Sequence, residues 1–139
     1  MADRLTPEQR KRNMKNVKSK DTGIEVSVRH FLFHAGFRYR KNVKALPGCP
    51  DIVLAKYKTV IFINGCFWHM HRNCKKSSIP EHRHDWWKRK LISNVVNDKL
   101  HRDKLEASGW RVITVWQCEL ETDFDGVMHR LMDILKGKN

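Results

Sequence analysis

The residue pattern of this chain predicts an α/β protein: a mixed central β-sheet flanked by helices. Three observations carry that expectation. The runs "PDIVLAKY" and "TVIFIN" are rich in β-branched residues and lie too close together for a crossover helix. A third such run, "WRVITVW", follows only after a long helical stretch. At 139 residues, with no repeat, low-complexity tract or linker, the chain is expected to form one domain over 1–139 with a real core.

Taken in order, "TPEQRKRNMKNVKSKDT" reads as a basic helix with Thr6 as N-cap, Pro7 at the first helical position and Gln9 completing a capping box. Its apolar content is too thin to bury a full face, so residues 1–20 are expected to be a DNA-contacting helix or a mobile arm. In "TGIEVSVRHFLFHAGF", Ile24, Val28, Phe31, Leu32 and Ala35 share a helical stripe that Gly36 stops. The next two runs are expected as an antiparallel hairpin around Tyr57–Lys58. A helix from about Asp85 to Ser108, ended by Gly109, leads to the third strand. A strand, a helix and a strand make a right-handed crossover, which predicts that the second and third strands are parallel. A last helix, roughly Phe124 to Lys136, closes the order.

Charge narrows the function. The 28 Lys+Arg against 15 Asp+Glu give a formal net charge of +13, which opposes compaction unless a polyanion uses it. Nucleic acid is the default partner, because neutralised phosphates release counterions. No apolar run approaches the roughly 18–20 residues of a membrane span. "MADRLTPEQRKR" lacks the apolar core of a secretory signal, which predicts a cytosolic protein. There, four cysteines suggest metal binding or free thiols before disulfides.

The expected topology gathers reactive residues at one sheet edge. Asp51, opening the first strand of the hairpin, is expected opposite Ile63 and Asn64, while Cys66 and Cys118 follow two parallel strands and leave the sheet together. Asp51, Asn64, Cys66, His69, His71, Cys74 and Cys118 thereby converge. Cys66, His71, Cys74 and Cys118 form a Cys₃His set suited to a structural Zn²⁺, the alternative being unrelated buried cysteines. Asp51 can hold Mg²⁺ or merely cap a turn. Asp98 shares a face of the long helix with Trp87, Leu91, Asn94 and Leu105, where a carboxylate needs a partner. That partner is either His69, whose tautomer it would fix for work as a general base, or an Arg or Lys. Phe67 and Trp68, with Trp86 and Trp87, are wedge or stacking candidates for a nucleic acid, or they cover a small core edge.

At "LPGCPDIV", "VIFINGCFWH", "GWRVITVWQCEL" and "RKRNMKNVKSKDTGIE" the sequence resembles the very-short-patch repair (Vsr) DNA mismatch endonucleases, over about residues 10 to 120. The resemblance implies a restriction-endonuclease-like fold and an enzyme that nicks one strand 5′ to the thymine of a T:G mismatch arising from 5-methylcytosine deamination. It implies Mg²⁺ on Asp51 and the backbone carbonyl of Ile63, His69 as general base backed by Asp98, and Glu25 acting behind them. It assigns structural zinc to Cys66, His71, Cys74 and Cys118, a wedge to Phe67, Trp68 and Trp87, and an inserted side chain to Met14. It further implies a monomer acting on mismatched double-stranded DNA in the bacterial cytosol, in contact with other DNA repair proteins.

Three positions depart from the family's best-known pattern. Asn64 stands where a histidine is familiar, so position 64 can donate a hydrogen bond but cannot act as an acid. Two residues, rather than one, separate His71 from Cys74. The E-x-K of restriction nucleases is replaced by apolar "FING", as is usual in this family. A zinc-stabilised binding module without chemistry would fit the charge and cysteines but has no use for Asp51, His69 and Asp98 together. A dimeric restriction endonuclease cutting both strands would not need the wedge.

Overall fold

The two β-branched runs pair as the short connection between them demands: Ile52 faces Ile61, Val53 faces Val60 and Leu54 faces Thr59, antiparallel. A computed structural model describes residues 23–137 of the chain. Its sheet comprises β1 (Arg40–Lys41), β2 (Ile52–Leu54), β3 (Thr59–Asn64) and β4 (Arg111–Trp116) in the order β1-β2-β3-β4. The helices are α1 (Gly23–His34), α2 (His84–Ala107) and α3 (Gln117–Leu135). β3 and β4 run parallel, from Thr59 opposite Arg111 to Asn64 opposite Trp116, with α2 as the crossover between them. The expected basic helix or arm over residues 1–20, with Met14, lies outside the described residues.

Alternation along the strands sorts side chains into two cores. Ile52, Leu54, Ile61, Ile63 and Val115 point to one face, where Val28 and Leu32 of α1 and Leu120, Met128 and Leu131 of α3 cover them. Val53 and Val60 point to the other, where Leu105 of α2 packs with Phe62, Trp110 and Val112. Leu105 is wholly buried, and truncating it to Ala costs about 2–5 kcal/mol. Between Leu91 and Leu105, α2 stands off the sheet and leaves a cleft of about 300 Å³ whose walls include Asn64, His69, Asp98, His101 and Trp116.

Local chemistry moved several boundaries. The strand expected over "PDIVLAKY" stops at Leu54; Ala55–Tyr57 form a 3₁₀ turn, and Lys58 closes the hairpin in the left-handed region at φ 51°. The ammonium of Lys58 sits 4.2 Å from the centre of the Trp110 ring, which offsets part of that conformational cost. β1 has no apolar residue and so no strand signature; it pairs Arg40 with Val53 and Lys41 with Ile52 at the sheet edge. Ala35 lies past the end of α1 and is exposed. The last helix starts at Gln117, directly after β4, and is kinked at Asp123 (φ −149°, ψ 69°). Asp123 Oδ1 accepts from the Gly126 N–H at 3.1 Å, a fresh N-cap, so the helix expected from Phe124 is its second segment.

The loop that delivers Asp51 is seated on α2. Gly48 adopts φ +76°, and a Cβ there would lie 3.0 Å from Cβ, Cγ and Nδ1 of His101. Only glycine meets both the backbone angle and the close approach.

Candidate active site and metal centre

Residues 65–71 form a single helical turn closed by a Schellman motif. The His71 N–H donates to the Cys66 carbonyl (2.9 Å), the Met70 N–H to the Phe67 carbonyl (3.3 Å), and Met70 is left-handed at φ 48°. This closure determines what the segment presents. It brings Cys66 and His71 together at one side and sets Phe67, Trp68 and His69 on the rest of the turn.

Ligand atoms of Cys66, His71, Cys74 and Cys118 all lie within 4.8 Å of one another. His71 Nδ1 is 3.5 Å from Cys66 Sγ and 3.3 Å from Cys118 Sγ. Donors about 2.0–2.3 Å from a tetrahedral ion stand roughly 3.5–3.8 Å apart, so the cluster is sized to hold a metal. The Cys118 N–H, in the first turn of α3, donates to Cys66 Sγ at 3.3 Å, where the helix N-terminus favours thiolate charge. Ser77 Oγ ties the loop by donating to the carbonyls of His71 (2.8 Å) and Cys74 (2.7 Å). Burial pushes the Cys66 thiol up to about 12, whereas the Lys76 backbone N–H lowers that of Cys74. Cys49 lies outside the cluster.

At the same end of the sheet, Asp51 Oδ2 accepts from the Ile63 N–H at 2.6 Å. Continuing the hairpin register places Asp51 across from Phe62 rather than from Ile63 and Asn64, and its carboxylate leans one residue along β3. Burial is the main reason its carboxyl is pushed up to about 7, against the Ile63 hydrogen bond; the charge of Glu25 adds to the rise and that of His69 opposes it. Glu25, buried on α1, is within side-chain hydrogen-bonding reach of Asp51 and lies 3.7 Å from Arg29. Two adjacent carboxyls in a buried place resist double ionisation, a setting that a cation relieves.

His69 reaches the site from the turn. Its Nδ1 is 2.5 Å from Asp98 Oδ2, both half-buried, so of the two partners open to Asp98 the structure has the histidine. The contact ties Nδ1–H to the carboxylate and leaves Nε2 as the nitrogen able to take a proton. One turn earlier on α2, Asn94 Nδ2 donates to the Trp68 carbonyl at 3.1 Å. α2 therefore holds two consecutive residues of the turn.

The aromatics form a continuous cluster. Ring centres of Phe67 and Trp68 are 5.1 Å apart, Phe67 and Trp87 5.4 Å, Trp68 and Trp87 5.8 Å, and Trp86 and Trp87 4.9 Å. Trp68 remains 46% exposed and Trp86 42%, while Phe67 and Trp87 are half-buried beneath them. Asn64, buried at the end of β3, faces the cleft that also meets His69 and Asp98.

The topology thus brings together every described residue expected at the site: Glu25, Asp51, Ile63, Asn64, His69 and Asp98 at the sheet end, the four ligands beside them, and the aromatics on the turn and the start of α2. Trp116 and Gln117 carry no expectation from the sequence, and Asn94 is expected only as a member of the stripe it shares with Asp98. Gln117 Oε1 accepts from the Cys66 N–H at 3.3 Å, and Trp116 stacks on His71 at 4.0 Å and 9°. Their signal was positional: both precede Cys118 at the point where β4 turns into α3.

A mixed four-stranded sheet flanked by helices, with a half-buried carboxylate at the head of one strand, is the architecture of the restriction-endonuclease-like nucleases; the Asp-held histidine stands where their E-x-K would be. Residues 2–76, more than half of the chain, match the family described as DNA mismatch endonuclease Vsr. The chain is 38% identical over 120 residues to the DNA mismatch endonuclease Vsr of Escherichia coli, covering 86% of this chain and 76% of that one. It is 50% identical over 121 residues to the type II nicking enzyme V.NmeAIP of Neisseria meningitidis (87% and 86% covered). Over 135 residues it is 44% identical to the type II nicking enzyme V.XorIIP of Xanthomonas oryzae (97% and 98%). The chain belongs to the Vsr family of DNA mismatch endonucleases: it is a DNA endonuclease of mismatch repair. Among the described residues no helix is long and apolar enough to cross a membrane.

Proposed function

We propose that the chain nicks one strand of duplex DNA 5′ to the thymine of a T:G mismatch left by 5-methylcytosine deamination, and so initiates very-short-patch repair. The main support is the His69–Asp98 contact at the sheet end that carries Asp51, next to exposed aromatic rings. The names of the bacterial relatives, mismatch endonuclease and nicking enzyme, point the same way.

Asp51 and the backbone carbonyl of Ile63 offer hard oxygen donors of the kind Mg²⁺ takes. When bound, Mg²⁺ supplies a Lewis acid for the phosphoryl oxygens. Nε2 of His69 takes a proton from a water as its oxygen bonds to phosphorus, and the P–O bond opposite breaks, the leaving oxygen taking its proton from solvent. Asp98 holds the imidazole in orientation and stabilises the imidazolium that forms. Glu25 acts through Asp51, and Asn64 donates a hydrogen bond towards the phosphate. Phe67, Trp68 and Trp87 wedge between base pairs, with Met14 entering from the opposite side. Unstacking costs a few kcal/mol and least at a mismatch, so the wedge converts a weak pair into selectivity. Cys66, His71, Cys74 and Cys118 would hold a zinc ion, and four protein donors of this kind suit a structural rather than a catalytic metal. The reading is of a monomer and a single domain over 1–139, working in the bacterial cytosol in contact with other repair proteins.

Purified protein, Zn²⁺-loaded and given Mg²⁺, should nick the thymine strand of a T:G duplex and leave the matched duplex intact. A gel shift without a nick would reduce the protein to a binding module. Double-strand cutting of matched DNA would make it an ordinary restriction enzyme; either result sinks the proposal.

A further inference from the structure

We infer that Trp116 is a positioning residue for both imidazoles of the site, His71 of the Cys₃His cluster and His69 of the hydrolytic end, and so couples metal retention to the catalytic step. The His69 half rests on the function proposed above; the His71 half does not.

The indole lies flat on the His71 ring, with centres 4.0 Å apart and planes 9° from parallel. Its orientation therefore fixes the plane in which Nδ1 meets Cys66 Sγ at 3.5 Å and Cys118 Sγ at 3.3 Å. A ligating histidine is usually oriented through its other nitrogen by a carboxylate, a carbonyl or water. Among the described residues no hydrogen bond serves His71 in that way, and the face of Trp116 takes over the task. The same indole meets His69 edge-on, with ring centres 6.5 Å apart and planes at 74°, on the wall of the cleft that holds Asp98.

Trp116 is itself held by backbone. It ends β4 opposite Asn64, and its N–H donates to Glu119 Oε1 at 3.3 Å at the start of α3. The next two residues engage Cys66, Gln117 by accepting from its N–H and Cys118 by donating to its sulfur. A movement of the junction between β4 and α3 thus reaches His71 and His69 through one ring.

Mere bulk and a flat face are separable. Trp116→Phe keeps a planar ring, whereas Trp116→Leu keeps apolar volume without one; Trp116→Met serves as a second faceless variant should the Leu protein not fold. Zn²⁺ affinity, measured by competition with a chromophoric chelator, needs no catalysis. kcat and KM are measured on a T:G duplex with Zn²⁺ and Mg²⁺ saturating. The faceless variants should lose about tenfold or more in Zn²⁺ affinity and a similar factor in kcat, with KM within about twofold, while Phe stays close to wild type in both. Equal behaviour of Phe and the faceless variants would overturn the inference. Lower Zn²⁺ affinity with wild-type kcat would overturn the coupling. A wild-type protein that binds Zn²⁺ but does not nick removes the function proposed above, and the affinity series still decides the His71 half.

Discussion

His69 Nδ1 and Asp98 Oδ2 stand 2.5 Å apart, joining the turn after β3 to the middle of α2 across 29 residues of sequence. An amide at position 98 can present its NH₂ to Nδ1 and so favour the wrong tautomer. Asp98→Asn should keep fold and duplex affinity but lower kcat on the order of 10²-fold. His69→Ala should do at least as much. Single-turnover nicking with excess enzyme gives the rate, and an undiminished rate in Asp98→Asn would remove the carboxylate from the mechanism.

If Asp51 holds Mg²⁺ as proposed, metal dependence becomes a function of pH. Its carboxyl is pushed from 3.8 to about 7, so the metal-free native state holds this proton where the unfolded chain has released it. Its contribution to stability is complete below pH 4 and is lost as pH rises to about 7. Asp51→Asn should therefore gain stability over metal-free wild type across that window, by roughly a few kcal/mol, and the gain should level off above it. Mg²⁺ competes with the same proton, so half-saturating Mg²⁺ should rise as pH falls below about 7. Thermal melts of both proteins from pH 4 to 8, with and without Mg²⁺, check the sign; parallel melting curves would contradict it.

Trp68 offers the most exposed ring of the cluster and owes its backbone position partly to Asn94. Trp68→Ala should narrow the ratio of mismatched to matched duplex affinity about tenfold, corresponding to roughly 1–3 kcal/mol of stacking, more than it weakens binding to matched DNA. Titrations on both duplexes at one salt concentration measure this. An unchanged ratio would take the wedge away.

Zinc loading should release protons. With burial pushing the Cys66 thiol up to about 12, metal must displace its proton at neutral pH, and affinity should weaken steeply as pH falls. A pH indicator in weak buffer counts the protons. Stripping the metal with a strong chelator should lower Tm markedly, and a chelator-treated protein with the Tm of the loaded one would argue against a structural metal.

The sheet and the site were legible in the sequence for different reasons. β3 and β4 carry short continuous runs rich in β-branched residues and α2 a stripe of helical period, and the convergence of Cys66 with Cys118 follows from parallel strands alone. The stripe also placed Asp98, but its partner could not be chosen until the turn at 65–71 had a shape. That shape depends on Met70 entering the left-handed region, which no residue type there announces. β1 was invisible because two exposed charged residues pair through backbone only. The first segment of α3 was hidden because β4 enters it without a loop, and Trp116 was hidden because a strand-end tryptophan looks like any other core residue.

Gly48 sits three residues before Asp51, and its backbone rests against His101 one helical turn beyond Asp98. The carboxylate of Asp51 and the imidazole of His69 are therefore both moored to one rod, through the glycine loop at one point and the aspartate at another. Should α2 slide when duplex docks, the two would travel in step and keep their separation. A side chain grafted at 48 would cut one mooring, and Asp51 would then drift from His69 with every residue of the proposed set still present in the chain.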